Sequence, residues 1–372
     1  MKKFTKILLI GCLLVTVSCN NWLDVDPKSQ VKDKDLFASE MGFKEALSGV
    51  YSLMTKEGLY GKELTFGWLG VLGQEWTSVP YNYEDDQKYD FENAASEVRI
   101  DSVWTGLYNA IANANKLLKE LEGKENLFSG DNYSIIKGEV LALRAYLHFD
   151  LLRIFGASCA VGMERIAIPY VTEYAPTIFP QEKVGDFVGK VLKDLQDAAK
   201  CLENDPILTG RTVSEIDDNG YLMNRQVHLN YYAVKGLMAR VYLYKGDYAN
   251  AEVCAKEVIG SGCFEWVKQE NLTNESVADL TFSTEHLFAL NIVTLGNIVD
   301  KYLDGGNNSF ALEESRLSEY YGSSYDYRYL YLFKTGVGMS NTLRYLKKYD
   351  QLESVSWAQS YRNKLPLICL PE

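Results

Sequence analysis

The chain has 372 residues, 38 of them basic against 50 acidic, for a net charge of −12. That length can bury a sizeable core in one large domain or two. An acidic chain without a Lys/Arg cluster repels phosphate backbones, which excludes nucleic acid as a partner.

Chain order starts with a basic segment, Met1 to Lys6, and an apolar run, Ile7 to Ser18, ending at Cys19 in "TVSC". As a helix that run would span roughly 18 Å, short of the ~30 Å bilayer core. It therefore predicts a secretory signal over residues 1–18. A small residue directly before a cysteine is the pattern of a bacterial lipoprotein signal, so Cys19 is the expected acylation (palmitate) site. Thr16 departs from the usual Leu of that box. "LIGC" at Cys12 matches by letters but leaves too short an apolar run. Loss of Lys2, Lys3 and Lys6 would leave 35 basic against 50 acidic residues, net −15. No later stretch approaches ~20 continuous apolar residues.

Helical periodicity dominates the rest of the chain. In "VWTGLYNAIANANKLLKEL" Val103, Leu107, Ile111, Ala114 and Leu118 form one stripe. Leu141, Ala145, His148, Leu152 and Phe155 form another, with Gly156 as its stop. A third helix is expected in "VGDFVGKVLKDLQDAAKCL". "NYYAVKGLMARVYLYKGDYANAEVCAKEVIGSG" predicts two helices joined at Lys245-Gly246-Asp247, with Ala239, Ala251 and Ala255 where they meet. That pair follows the tetratricopeptide pattern. The expected fold is mostly α: a tetratricopeptide-like solenoid of helical pairs, with long irregular loops on one side. Residues 56–100, 157–180 and 296–325 show no sustained period. Long loops in a compact protein are usually functional.

The five cysteines beyond Cys19 (Cys159, Cys201, Cys254, Cys263, Cys369) have no CxxC spacing, so neither a zinc site nor a disulfide framework is expected. Cys254 and Cys263 could pair, but free thiols are favoured. His148, His228 and His286 lie far apart, and His148 falls on an apolar stripe. No Gly-rich phosphate loop or Gly-x-Ser-x-Gly elbow is present. The expectation is a non-enzyme without cofactor or metal.

Binding remains. The chain carries 26 Tyr, 15 Phe and 6 Trp. Sugars present apolar C–H faces with hydroxyl rims, so a sugar site needs aromatic platforms beside polar groups. The candidates are Trp76, Tyr81, Asn82 and Tyr83 in the first irregular segment, and Asn307, Asn308 and Phe310 in "GGNNSF". Trp68 is expected in the core. Asp326 and Arg328 are expected to be structural, as a helix N-cap and its ion-pair partner.

Several motifs occur together in order: "WLDVDP", "WTGLYNAIANANKLL", "GEVLALRAYLHFDLLRIFG", "GLMARVYLYKGDYANAE", "DYRYLYLF" and "KKYD". Behind a lipoprotein signal, this series resembles the SusD/RagB family of Bacteroidetes surface lipoproteins. The resemblance implies an N-terminal SusD-like region over 19–225 and a RagB/SusD region over 226–372 containing the tetratricopeptide-like pair. It implies an outer-membrane, lipid-anchored glycan-binding protein facing the cell exterior, with a SusC-like TonB-dependent transporter as partner in oligosaccharide uptake. A peptide-binding member and a scaffolding lipoprotein that binds other proteins are the alternatives. Relatives run on beyond "NKLPLICLPE", and Cys369 stands where they carry Arg, so the C-terminal region is expected to be incomplete.

Overall fold

A computed structural model describes residues 33–214, 217–306, 308–323, 325–335, 342–350 and 363–371. Residues 1–18, Cys19 and Asn307 lie outside the described residues. No helix among the described residues is long and apolar enough to cross a membrane.

The scaffold consists of α1 (Glu40–Met54), α3 (Ala94–Leu121), α4 (Asn132–Phe155), α5 (Val184–Cys201), α6 (Tyr231–Lys245) and α7 (Tyr248–Ile259); a short α2 (Trp68–Leu72) lies between α1 and α3. Each of the six scaffold helices packs on the next in that order, as a solenoid does. The fold is mostly helical. The expected stripe on α3 is buried at Val103, Leu107, Ile111 and Ala114 and half-buried at Leu118. Asn93 starts α3 by accepting from the amides of Ala95 and Ser96, both at 3.0 Å. In the tetratricopeptide-like pair Gly246 takes φ +83° between α6 and α7, a left-handed position that suits glycine, and Asp247 caps α7.

The sequence predicts one apolar stripe on α4, whereas the structure buries that helix on nearly every side. The cause is its place in the stack, with α3 against one flank and α5 against the other. Gly138 makes the close approach to α5 possible. A Cβ there would stand 2.7 Å from Leu202 Cγ and 3.0 Å from the Ala198 carbonyl oxygen. Gly156 ends α4 in extended rather than left-handed backbone.

The irregular segments also differ from expectation. Residues 56–100 include α2 and the first turns of α3, and residues 296–325 include most of α8 (Leu295–Tyr302) and all of α9 (Glu314–Tyr321), followed by α10 (Tyr327–Tyr331). These helices are too short for a period to show. Two small antiparallel sheets complete the fold. β1 (His286–Asn291) pairs with β5 (Lys364–Cys369). β2 (Leu312–Glu313), β4 (Leu343–Leu346) and β3 (Phe333–Thr335) form the other, with β4 in the middle.

Candidate functional site

The two candidate loop segments meet. The Ser78 amide donates to the Ala311 carbonyl at 3.0 Å, and the Ala311 amide returns the bond at 2.9 Å. Phe310 sits at the centre of a knot of rings, with centroids 5.1 Å from Tyr83, 5.7 Å from Trp76, 6.1 Å from Phe66 and 6.2 Å from Tyr302. This corrects the expectation that Trp76, Tyr83 and Phe310 are open stacking platforms: they are 5%, 1% and 0% exposed. Their polar atoms are committed as well. Trp76 Nε1 donates to the Phe66 carbonyl at 2.7 Å, and the Tyr83 hydroxyl donates to Glu63 Oε1 at 2.7 Å. Trp68 is buried as expected, donating from Nε1 to Asp86 Oδ1 at 3.0 Å.

Buried charge completes the knot. Arg99 of α3 pairs with Asp86, donates to the Asn82 carbonyl at 3.1 Å and lies 3.9 Å from the Tyr83 ring centroid. Lys62 meets Glu63 at 3.0 Å and donates to the Tyr302 hydroxyl at 3.3 Å. Burial alone would lower the Lys62 pKa, but Glu63 and Tyr83 more than offset it and hold the ammonium above its ordinary value.

Tyr81, Asn82 and Asn308 remain exposed around this knot, Tyr81 at 85%. The structure adds two rings that sequence reasoning did not single out. The Tyr89 hydroxyl donates to the Leu72 carbonyl and the Tyr320 hydroxyl to the Gln74 carbonyl, each at 3.0 Å, so both rings stand over one turn while about half exposed. Gln74 (φ +55°) and Tyr89 (φ +60°) are both left-handed non-glycine residues, and Gln74 Nε2 donates to the Gln87 carbonyl at 2.9 Å. Paired backbone strain of this kind concentrates at functional sites.

The same turn forms one wall of a cleft of about 830 Å³, where the loops meet the helical scaffold. Glu75, the largely buried Trp76, Tyr320 and Tyr321 line the loop side, and Asp150, Arg153, Arg240 and Tyr244 line the helical side. Asp150 accepts from the Tyr60 hydroxyl at 2.8 Å and from Arg153 Nη1 at 3.1 Å. Arg240 Nη2 donates to the Leu367 carbonyl at 2.9 Å. Glu75 stands at the mouth, and partial desolvation by the walls pushes its carboxyl pKa up. Aromatic edges, carboxylates and guanidinium groups around one concavity suit a ligand with apolar faces and many hydroxyls. A sequence signal for part of this existed: Asp150 and Arg153 are charges set three apart within the apolar run "LHFDLLRIF".

Two buried networks tie the scaffold to its loops. Glu139 of α4 accepts from Arg225 Nη1 at 2.6 Å, His228 Nδ1 at 2.9 Å and the Tyr51 hydroxyl at 2.9 Å, while Arg225 also clamps Asp205 at 2.9 Å. Burial pushes the Glu139 carboxyl up, but Arg225 and His228 prevail and hold it at about 2. His148 donates from Nδ1 to the Arg144 carbonyl at 2.8 Å, accepts from the Val171 amide at Nε2 (2.9 Å) and stacks on Tyr170 at 4.0 Å. That pattern requires the neutral ring, and burial lowers its pKa to about 3. Asp326 caps α10 by accepting from the Arg328 amide at 2.8 Å, and pairs with the Arg328 guanidinium at 2.7 Å. None of the five described cysteines is in a disulfide; Cys254 is buried and Cys263 exposed. No group of three or more His, Cys, Asp or Glu residues among the described ones could hold a metal ion.

Stacked helical pairs carry a loop-built aromatic cleft, the architecture of a helical solenoid. The SusD-like family described as starch-binding and associating with the outer membrane matches residues 21–243. The chain belongs to the SusD/RagB family, whose members are binding proteins rather than enzymes. It is 24% identical over 269 residues to SusD-like protein P38 of Formosa agariphila, covering 71% of this chain and 47% of that relative. The chain thus spans less than half the length of the curated relatives it matches. A SusD superfamily protein of Bacteroides thetaiotaomicron superposes with a TM-score of 0.67 at 20% identity, covering 89% of this chain and 73% of that one. A laminarin-binding SusD-like protein superposes at 0.65 and 18% identity, covering 89% and 78%. At these identities the superpositions establish the fold.

Proposed function

We propose that the protein captures a neutral glycan at the cell surface, in the cleft between the loops and the scaffold. The observation that carries this is the convergence of Tyr320, Tyr321 and Tyr244 with Asp150, Arg153, Arg240 and Glu75 around one concavity. Membership of a starch-binding family and likeness to a laminarin-binding protein support the ligand class. Tyr81, Asn82 and Asn308 extend the face outward from the knot. The protein is held in the outer membrane by a lipid on Cys19, faces outward, and passes its ligand to a SusC-like TonB-dependent transporter for uptake. It performs no chemistry on the glycan.

A glycan array that includes starch and laminarin, followed by titration calorimetry at low and high salt, tests the ligand. Affinity should depend little on salt, because stacking and neutral hydrogen bonds are not screened as exposed charges are. Failure to bind any glycan would overturn the proposal, and steep salt dependence would favour a charged peptide. For the anchor, Cys19→Ala should abolish labelling by a palmitate analogue and release the protein from membranes. Recovery of a SusC-like transporter with the anchored protein checks the partnership.

A further inference from the structure

A second concavity lies between the C-terminal half of α3 and the N-terminal half of α4, with a volume of about 470 Å³. Its walls are two helix stripes. One carries Lys119 and Glu122, and the other carries Tyr133 and Lys137. The loop bearing Glu173 and Tyr174 closes one end. Tyr174 is 48% exposed, with Lys116 Nζ 5.4 Å from its ring centroid. Tyr133 is half-buried on the α4 wall, packed edge-on against Phe128 at 5.4 Å, with Lys137 Nζ 5.7 Å from its ring centroid.

The closing loop is held from beneath by buried groups. Asn115 Nδ2 donates to the Val171 carbonyl at 2.9 Å, and Arg144 Nη1 to the Thr172 carbonyl at 3.3 Å. Arg144 is itself fixed by a two-pronged bond to Asp194, both contacts at 2.7 Å. Tyr174 is thus presented by an anchored loop, and a preorganised platform binds without a large ordering cost.

Two amphipathic rings lining one groove, together with ammonium donors and carboxylate acceptors, form a surface for sugar hydroxyls. Of the charges lining the groove, Arg144 is paired with Asp194, and Lys119 and Lys137 are matched in number by Glu122 and Glu173, which favours a neutral ring over an anion. The groove and the cleft share one helix. Tyr133 near the start of α4 lines the groove, and Asp150 near its end lines the cleft. From residue 133 to residue 150 is about 26 Å along the helix axis.

We propose that the groove between Tyr133 and Tyr174 is a second saccharide-binding site, which engages a distant stretch of the same glycan chain and so selects long chains by avidity. A tethered second contact raises affinity only when the ligand spans both sites. The inference rests on glycan capture at the cleft, and its test separates the two. Calorimetry compares soluble starch and laminarin with maltotriose and laminaritriose, which are too short to span the two sites. Tyr174→Ala and the double variant Tyr174→Ala/Lys137→Ala should weaken polysaccharide binding at least threefold and leave trisaccharide binding unchanged, whereas Tyr320→Ala should weaken both. Hydrogen exchange on laminarin-saturated protein should show added protection at residues 171–175. Unchanged polysaccharide affinity in both groove variants, with Tyr320→Ala still impaired, overturns the second site alone. Equal losses for trisaccharide and polysaccharide in the groove variants also overturn it. Absence of binding by the unaltered protein overturns both proposals.

Discussion

The helical scaffold and the loop face are assembled from different materials. In the scaffold, aliphatic stripes on α3, α4 and α5 close against one another, and the few buried charges pair across elements. In the loop face, segments without regular ladders are joined by four rings around Phe310 and by buried ion pairs at Lys62–Glu63 and Arg99–Asp86. An aromatic in an irregular segment is, on this contrast, first of all mortar. A short loop has no repeating face to bury, so a few large side chains must supply the area that an aliphatic stripe supplies on a helix. A ring that is also wanted by a ligand must be one the knot does not need.

Four kinds of experiment put this contrast at risk. The largest effect is expected from Arg225→Ala, which strands the Glu139 and Asp205 carboxylates in the interior. Breaking a buried pair from one side costs about 3–5 kcal/mol, so chemical denaturation should show a loss of that size. Phe310→Ala should cost a comparable ~3–5 kcal/mol by the usual range for buried Phe truncation. Hydrogen exchange should then open residues 62–90 while α4 and α5 keep their protection. Uniform loosening across both regions would show that the two are one cooperative unit and sink the distinction.

Acid sensitivity should reside in the scaffold. His148 is neutral in the native state down to about pH 3, whereas the unfolded chain takes up its proton near the ordinary histidine pKa. Between those values the unfolded state binds more protons, so stability falls as pH falls. The loss should approach about 2 kcal/mol between pH 6.5 and 5. His286, on β1 outside the scaffold, has its pKa lowered to about 4 by burial and adds a second contribution of the same sign. A His148→Gln variant, less stable at pH 7, should show a flatter melting temperature against pH. An unchanged slope would place the acid sensitivity elsewhere.

Ligand binding should follow the exposed rings. Tyr320→Ala should weaken glycan binding about three- to tenfold, from a stacking contribution of roughly 0.5–1.5 kcal/mol, with its melting curve unmoved. Tyr81→Ala should do less. Asp326→Ala is expected to have the smallest effect: loss of an exposed N-cap costs about 1 kcal/mol, read as fraying of α10, with glycan affinity intact. A large affinity loss there would assign Asp326 and Arg328 to the site rather than to the cap.

The scaffold and its class were legible in the order of the amino acids. Periods of three and four residues, the Gly246–Asp247 turn and the ordered motifs are local signals, and helix formation is a local event that such signals report. The interior position of His148 and the capping role of Asp326 were legible too, because an apolar helical stripe and a capping pattern are local features of the sequence; Trp68 is buried as expected, though its partner Asp86 lies 18 residues on. Which rings are mortar and which are platform depended instead on long-range packing. Trp76 and Tyr83 are buried because Phe310, more than 220 positions later, arrives between them, and Tyr320 becomes part of the candidate site because its hydroxyl reaches the Gln74 carbonyl across 246 positions. Contacts of that separation leave no period in the chain, and exposure is a property of the partner that arrives rather than of the residue that waits.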